Sequence, residues 1–260
     1  MRLLIVGSDK IYSIENMYVK YLRAMGVEVN LFTAQAIFYD YYQRSLLNKI
    51  VYRLNLSGID NTINKSFKEL VLKFKPEIIW IFKGMELKPA SVIWAKKQGA
   101  ILINYNPDNP FIFTGRGSGN KNITNSIGLY DFHFTYNLAI QQEIKEKYKV
   151  ATGFLPFGFD IEDTLFEKCE KQKEVLKVCF LGNPDKERAA FILSLAKAGI
   201  ELDIYGNYWS RFLNHPKALH KTVPRFRDRV FEFGFENKQS VAAEAIFAPM
   251  IALVVLALTG

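Results

Sequence analysis

Cysteine and histidine are scarce in this sequence, and their scarcity limits its chemistry. The two cysteines, Cys169 and Cys179, provide neither a disulfide framework nor a zinc cluster. Of the three histidines, His215 and His220 have no metal-ligand partner at a useful spacing. His133 lies between two phenylalanines in a predicted strand, which favours a structural residue, with a base in the ligand crevice as the alternative. The sequence therefore predicts no metal site, and a reducing cytoplasm is the simplest location.

The sequence also lacks a secretion signal and an apolar run long enough to span a membrane. No basic and apolar leader precedes the first strand pattern. The apolar stretch 245–258 is shorter than the roughly 20 residues of a spanning helix and contains Pro249, which favours a buried helix-turn-strand piece over an anchor. The formal net charge of +8 favours anionic partners without choosing among nucleotide phosphates, acidic lipid surfaces and nucleic acid.

Apolar and aromatic residues are abundant, at 49% and 14% of the chain, which is ample for packed cores. Short β-rich runs alternate with helical patterns, as in a parallel sheet covered by helices. An apolar strand leading into a glycine turn and a helix occurs twice, at Gly7 and Gly182. We therefore predict an α/β chain of two Rossmann-like, doubly wound domains: residues 1–160, a linker at 161–176, and a second, incomplete domain at 177–260.

Local patterns place the individual elements. Predicted strands lie at residues 2–6, 27–32, 78–82, 100–105, 132–135, 177–181 and 202–205. Predicted helices lie at about residues 13–25, 89–99, 138–148 and 187–198, and 67–74 is amphipathic. The glycine-rich segment 115–119 is interpreted as a lid or loop, because it lacks the strand-turn-helix context of a dinucleotide-binding site.

The second glycine turn is the better candidate for a phosphate, because a helix opening and basic side chains coincide there. The alternative is a solvated first helical turn in which Arg188 pairs with Glu187. Tyr205 ends the next strand and either stacks on a base or sugar or belongs to the core. The predicted nucleotide contacts are Gly182, Asn183, Lys186, Arg188, Tyr205 and Gly206.

Polar residues follow two strands of the first domain. Asp108 lies in a proline-bracketed loop at the carboxyl end of a strand, where a carboxylate orients a sugar hydroxyl or acts as a base. The alternative is that this aspartate and its asparagine neighbours only make Asx turns. After the first glycine turn, Ser8 or Asp9 is expected to be a turn or N-cap residue. The predicted contacts of a hydroxylated acceptor are Asp9, Tyr12, Asn16, Asn106 and Asn109.

Several motifs occur in a consistent order. They are NYNPDNPF at 104–111, LPFGFD at 155–160, FLGN at 180–183 followed by Arg188, and IYGNYW at 204–209. In their order and spacing the sequence resembles the CgeB-like, spore-maturation-type glycosyltransferases of the GT-B fold. The resemblance implies two facing Rossmann-like domains, with the acceptor bound mainly by the first and a nucleoside-diphosphate sugar mainly by the second. It implies no metal or other cofactor, since the sugar nucleotide is a substrate.

The sequence departs from this family near its end. Residues 245–247 and 250–253 resemble the helix and strand that precede the family's Arg-rich turn and a glutamate that grips the donor. The sequence ends at Gly260, before that stretch. We therefore expect an incomplete donor pocket.

The predicted function is transfer of a sugar from a nucleoside-diphosphate sugar to a saccharide, protein or cell-envelope acceptor, with Asp108 as the catalytic candidate. One alternative is a non-catalytic module that binds the acceptor. Another, supported only by the charge and the alternating arginines at 225–229, is a basic protein that binds nucleic acid or a membrane surface. We expect no nucleic-acid partner and leave peripheral membrane contact open. Redox chemistry with NAD ranks last, because neither glycine turn carries its fingerprint.

Overall fold

The structure is a computed structural model of the chain, and it describes residues 1–10, 13–54, 56–113, 118–158, 178–206, 209–213 and 216–220. The described residues up to 158 belong to one compact unit, and those from 178 onward belong to a second. Each unit contains its own parallel sheet. The linker predicted at 161–176 lies outside the described residues, so the predicted domain boundaries stay a prediction.

Six short strands form the sheet of the first unit, and all of their pairings are parallel. They are β1 (Arg2–Val6), β2 (Glu28–Phe32), β3 (Ile78–Phe82), β4 (Ile101–Tyr105), β5 (Phe132–Thr135) and β6 (Ala151–Phe154). Their order across the sheet is β2-β1-β3-β4-β5-β6. The strand β2 therefore lies on one side of β1, and β3 and all later strands lie on the other side. At such a reversal, here between β1 and β3, open parallel sheets bind ligands beyond the carboxyl ends of the strands.

Helices connect these strands. They are α1 (Ile14–Ala24), α2 (Ala34–Arg44), α3 (Leu46–Arg53), α4 (Ile59–Phe74), α5 (Pro89–Lys97), α6 (Lys121–Ser126) and α7 (Leu138–Tyr148). A proline begins α5, where its missing N–H costs no helical hydrogen bond. Gly99 follows the end of α5 with a φ of 89°, a conformation that glycine adopts without strain.

The core of the first unit lies on both faces of its sheet. Alternate residues of β1 point to opposite faces, so Leu3 packs with Tyr18 and Leu22 of α1, whereas Leu4 packs with Phe67 of α4. Strand β3 is buried along its whole length, because helices cover it on both sides. The first unit is therefore a doubly wound α/β layer structure.

The second unit has a smaller sheet of three parallel strands, in the order β7-β8-β9. The strands are β7 (Val178–Leu181), β8 (Leu202–Tyr205) and β9 (Ala218–His220), and the helix α8 (Lys186–Lys197) lies between the first two in sequence. Ile192 of α8 packs with Ile204 of β8 and with the fully buried Trp209.

The predicted α/β class with Rossmann-like parallel sheets is confirmed. Four of the strands, β1, β3, β5 and β8, and the helix α7 have the bounds that the sequence predicted. The helices α2 and α3 were not predicted. The predictions for most of the glycine-rich loop, for the arginines at 225–229 and for the apolar stretch 245–258 fall outside the described residues. No described helix is both long enough and apolar enough to cross a bilayer.

Candidate functional site

An ion pair joins the carboxyl ends of two neighbouring strands in the first unit. Lys83 directly follows β3, and its Nζ lies 2.6 Å from Oδ2 of Asp108, which belongs to the loop after β4. The lysine side chain is 20% exposed and the aspartate 48%, so the pair lies at the surface of the crevice. A carboxylate and an ammonium group held together at this edge offer both an acceptor and a donor to a polyhydroxylated ligand.

The backbone at Lys83 adopts a conformation that is unusual for a residue with a side chain. Its φ is 61°, and Gly84 continues in the left-handed region with a φ of 91°. Among the described residues the other non-glycine positions with positive φ are Lys75 and Lys149, which both end helices. Only Lys83 has this conformation at the end of a strand. Such strain costs of order 1 kcal/mol and is concentrated at functional sites.

A second carboxylate beside this ion pair, Glu86, has strongly altered acidity. Burial raises the pKa of Glu86 from 4.5 to about 7, and the carboxylates of Glu15 and Asp60 add to the effect, whereas the Lys83 ammonium opposes it. A carboxyl group with a pKa near 7 exchanges protons readily at neutral pH, which is the property required of a general base. The residues Lys83, Glu86 and Asp108 are called the crevice cluster below.

The first glycine turn already contains a carboxylate from the chain itself. An oxygen of Glu15, Oε1, accepts a hydrogen bond of 3.0 Å from the Ser8 backbone N–H. A β carbon added at Gly7 would lie 2.3 Å from the same oxygen, so the glycine is required for this arrangement. Burial raises the pKa of Glu15, and hydrogen bonds from Ser8, Ser13 and its own backbone oppose that rise. Glu15 thus occupies an amide at which an external anion would otherwise bind, and the ligand of this turn stays a prediction.

The asparagines and the aspartate of the loop after β4 have different roles. Asn106 Oδ1 accepts from the Asp108 N–H at 3.0 Å, and Asn109 Oδ1 accepts from Phe111 N–H at 2.8 Å, so both asparagines form Asx turns. The Asp108 carboxylate instead pairs with Lys83. Asn106 is buried, and its Nδ2 has no hydrogen-bond partner among the described residues. The Asx-turn interpretation therefore holds for the two asparagines, and the functional role of Asp108 stays a prediction.

The predicted acceptor contacts near α1 mainly hold the loop after β1. Asn16 Nδ2 donates to the carbonyl oxygens of Asp9 and Lys10 at 2.7 and 2.9 Å. The Ser8 hydroxyl accepts from the Lys10 N–H at 3.3 Å, which makes Ser8 a turn residue, and the N-cap of α1 is Ser13. Neither Ser8 nor Asp9 is the cap. Tyr12 lies outside the described residues, and acceptor binding by Asp9, Tyr12 and Asn16 stays a prediction.

The strand histidine is part of the core. His133 is fully buried, and neither of its ring nitrogens has a hydrogen-bond partner among the described side chains and backbone groups. Burial lowers its pKa from 6.5 to about 3, so it is neutral at physiological pH. These facts favour the structural interpretation of His133 over a role as base in the crevice.

In the second unit, the candidate nucleotide contacts meet where β7 and β8 end. The Gly182 N–H donates to the Tyr205 carbonyl oxygen at 2.9 Å, and Trp209 Nε1 donates to the Gly182 carbonyl oxygen at 2.7 Å. A β carbon at Gly206 would lie 2.0 Å from that same oxygen, so only glycine fits there. The structure brings these two strand ends together, and their binding of a nucleotide stays a prediction.

The basic residues that follow this junction are exposed, and one of them has internal partners. The Arg188 Nε lies 3.2 Å from Asp185 Oδ2, and its Nη1 donates to the Asn183 carbonyl oxygen at 3.0 Å. Asp185 also caps α8 by accepting from the Arg188 N–H at 2.7 Å. The alternative of a solvated helical turn predicted that Arg188 pairs with Glu187. In the structure Arg188 pairs with Asp185 instead. Lys186 is exposed in the first turn of α8.

Sequence reasoning found Asp108 but missed its partner and the neighbouring carboxylates. A usable signal was present, because two charged residues, Lys83 and Glu86, closely follow the apolar strand β3. Polar residues at that position lie at the crevice of a doubly wound sheet. The acidity of Glu86 depends on burial and on Glu15, which are tertiary properties. No three or more His, Cys, Asp or Glu side chains in the described part of the chain are grouped so as to hold a metal ion.

Comparison with known proteins gives matches in structure and none in sequence. No protein-family model matches the sequence, and no curated protein matches it. UDP-GlcNAc 2-epimerase from Neisseria meningitidis, bound to UDP-GlcNAc, is 12% identical with a TM-score of 0.47, and the match covers 78% of this chain and 65% of that one. UGT73P12 from Glycyrrhiza uralensis, complexed with glycyrrhetinic acid 3-O-monoglucuronide, is 11% identical with a TM-score of 0.47, covering 90% and 66%.

A UDP-GlcNAc 2-epimerase from Methanocaldococcus jannaschii is 9% identical with a TM-score of 0.48, and the match covers 90% of this chain and 68% of that one. The chain thus spans just under two thirds of the length of the Neisseria and Glycyrrhiza proteins. Similarity at this level of sequence identity and TM-score assigns no activity to this chain.

Proposed function

We propose that this chain acts in glycosyl transfer, moving a sugar from a nucleoside-diphosphate sugar to the hydroxyl group of an acceptor, as a CgeB-like enzyme of the GT-B type. The observation that carries the proposal is the crevice cluster, in which a carboxyl group with a pKa near 7 lies beside the Lys83–Asp108 ion pair at the reversal point of the sheet. A general base and a polar pair for orienting hydroxyl groups are the parts that an acceptor site needs.

The roles follow from the chemistry of each group. Glu86 takes the proton of the acceptor hydroxyl as the acceptor oxygen bonds to the anomeric carbon and the bond from that carbon to the diphosphate breaks. Asp108, held by Lys83, accepts a hydrogen bond from a neighbouring hydroxyl and orients the sugar. The Asn106 Nδ2 is a further buried donor behind the loop that carries Asp108.

The second unit is assigned the donor. Negative charge develops on the leaving diphosphate, and backbone N–H groups at the start of α8 together with Lys186 are suited to stabilise it. Arg188 joins them after exchanging its Asp185 contact for a phosphate oxygen. Both side chains of that contact are more than half exposed, so the exchange costs little.

A second candidate function is acceptor binding without turnover. The observation that favours it is that Arg188 is already engaged by Asp185 and by the Asn183 carbonyl oxygen, so a phosphate has to compete with these partners for its guanidinium group. In this case the crevice cluster binds a hydroxylated molecule and no sugar is transferred.

Donor binding is tested first, by calorimetric titration of the purified chain with UDP and other nucleoside diphosphates. Saturable binding that Lys186→Ala or Arg188→Ala weakens by about tenfold supports the donor assignment, since a charged hydrogen bond contributes about 1.5 to 3 kcal/mol. Lys197→Ala, in the last turn of the same helix, is the matched control and should bind as the unaltered chain does. Equal binding by all three variants would contradict the assignment.

Catalysis is tested next, with sugar nucleotides and a panel of glycan acceptors. We expect turnover to rise with pH through an apparent pKa near 7, and Glu86→Gln to abolish turnover while nucleotide binding persists. Glu69→Gln, an exposed substitution on α4, is the control. Acceptor binding with no turnover in the unaltered chain would favour the second candidate. Full turnover in Glu86→Gln would remove Glu86 from the mechanism.

A further inference from the structure

The helix α3 carries a cluster of exposed aliphatic side chains. None of the described residues of α3 is buried, although four of the eight are leucine, isoleucine or valine. The side chains in this cluster are between 53% and 76% exposed. They are Leu46, Leu47, Ile50, Leu54 and Leu56, and they are called the α3 surface below.

The opposite side of α3 is firmly attached to α2. The Tyr52 ring contacts Phe38 and Tyr42, with ring centroids 5.0 and 5.6 Å apart. Asn48 Nδ2 donates to the Tyr41 carbonyl oxygen at 2.8 Å, and the Ser45 hydroxyl caps the helix by accepting from the Asn48 N–H. Because these contacts fix the rotation of the helix, its aliphatic side chains are held outward against solvent.

The charged residues of segment 41–59 are all basic, whereas burial and the nearby carboxylates of Asp60 and Glu86 raise the pKa of Tyr52, whose ring contacts α2. Arg44 ends α2, Lys49 lies within α3 between Leu46 and Ile50, and Arg53 ends α3. The sequence contains no Asp or Glu between Asp40 and Asp60. A short helix with an aliphatic face and flanking cations is the pattern of a segment that lies in a membrane interface.

We propose that the α3 surface docks on an anionic lipid bilayer. The aliphatic side chains enter the boundary between headgroups and acyl chains, and the guanidinium and ammonium groups remain at the lipid phosphates, which their long flexible stems allow.

A second copy of this chain is a poorer occupant, for an electrostatic reason. In a two-fold dimer the same patch faces itself, so the cations Arg44, Lys49 and Arg53 would approach those of the other copy with no acidic residue of the segment 41–59 to offset them. Lipid phosphates offset them directly. The charge pattern therefore favours a bilayer over self-association.

The test is sedimentation of the full chain with vesicles of equal parts phosphatidylglycerol and phosphatidylcholine, compared with phosphatidylcholine alone. We expect binding to the anionic vesicles only, weakened by salt. The double variant Leu46→Ser/Ile50→Ser should lower the binding constant at least tenfold, because inserted methylene groups dominate such binding. Arg53→Gln should lower it about fivefold, the contribution of one cation near an anionic surface.

The matched control is Leu138→Ser, which replaces an equally exposed leucine on α7. Its vesicle binding should equal that of the unaltered chain, and thermal unfolding should show that every variant is folded. Unchanged binding in Leu46→Ser/Ile50→Ser would overturn the proposal. The proposal would also be overturned if the unaltered chain bound no vesicles and formed a dimer in sedimentation velocity without lipid, and if the double substitution dissociated that dimer. Nucleotide binding does not enter this assay, so its outcome is independent of the proposed glycosyl transfer.

Discussion

Replacing His133 with leucine should remove a large part of the acid sensitivity of the first unit. The unaltered histidine has a pKa of about 3 in the folded chain, because burial disfavours its charged form, and an ordinary value of 6.5 once the chain unfolds. Below pH 6.5 the unfolded chain therefore binds one proton that the folded chain does not bind. Stability is lost as the pH falls through this range, at up to about 1.4 kcal/mol for each pH unit.

The magnitude follows from the two pKa values. Between pH 8 and pH 5 the protonation of His133 in the unfolded chain lowers the free energy of unfolding by about 2 kcal/mol, which is about thirtyfold in the unfolding equilibrium. Glu86 has the opposite sign, since its pKa of about 7 lies above the ordinary 4.5 and the folded chain gains a proton as the pH falls. Because Glu86 is present in both proteins, its contribution cancels in their difference.

The assay is urea unfolding followed by circular dichroism at pH 8, 7, 6 and 5 for the unaltered chain and for His133→Leu. Leucine suits the site because the ring nitrogens of His133 make no hydrogen bond to the described residues. We expect the two proteins to differ little at pH 8 and the variant to be more stable by about 2 kcal/mol at pH 5. Parallel stability curves from pH 8 to pH 5 would refute the conclusion that His133 is buried and neutral.

Three further comparisons, made with five substitutions, test other features. Glu86→Gln should raise stability at pH 8 by about 1 to 3 kcal/mol and have little effect at pH 4, because only the ionised carboxylate is disfavoured by burial; unfolding at the two pH values measures this. Lys83→Gly should be about 1 kcal/mol more stable than Lys83→Ala, because only alanine retains a β carbon at a φ of 61°. Gly206→Ala should destabilise the second unit by at least 2 kcal/mol, because its β carbon would lie 2.0 Å from a carbonyl oxygen. Gly199→Ala, whose β carbon would have only the Lys217 ammonium within 4 Å, should cost about 1 kcal/mol, as measured by thermal unfolding.

The sequence predicted most of the sheet because its strands are short apolar runs that end at strong turn signals. The strand 78–82 is the clearest case, with five apolar residues that the structure buries completely. The helix α2 escaped prediction because its tyrosines disfavour helix slightly. The helix α3 escaped prediction because it is only eight residues long and its aliphatic face packs against no core. Their helical structure depends on ring contacts between Phe38, Tyr42 and Tyr52, which are tertiary.

The candidate site was predicted in part for a similar reason. Asp108 was found because prolines bracket it after a strand, which is a local signal. Its pairing with Lys83 joins residues that follow two different strands, and the acidity of Glu86 depends on neighbours from α1 and α4. The partner of Arg188 was not predicted, because Asp185, Glu187 and a bound phosphate are all possible partners of its guanidinium group. Sequence spacing alone does not show which of them it contacts.

The carboxylate of Glu15 inside the first glycine turn has a consequence for substrate sorting. Each of the two parallel sheets has a glycine turn that leads into a helix. If the amides of both turns were unoccupied, a sugar nucleotide would bind the two turns with similar affinity. Because Glu15 already accepts from the Ser8 N–H, a diphosphate entering the first unit finds that donor taken and an acidic group in its path. Under the proposed function, the two units would differ in their affinity for anions, and an uncharged acceptor would meet less competition from nucleotide in the first unit.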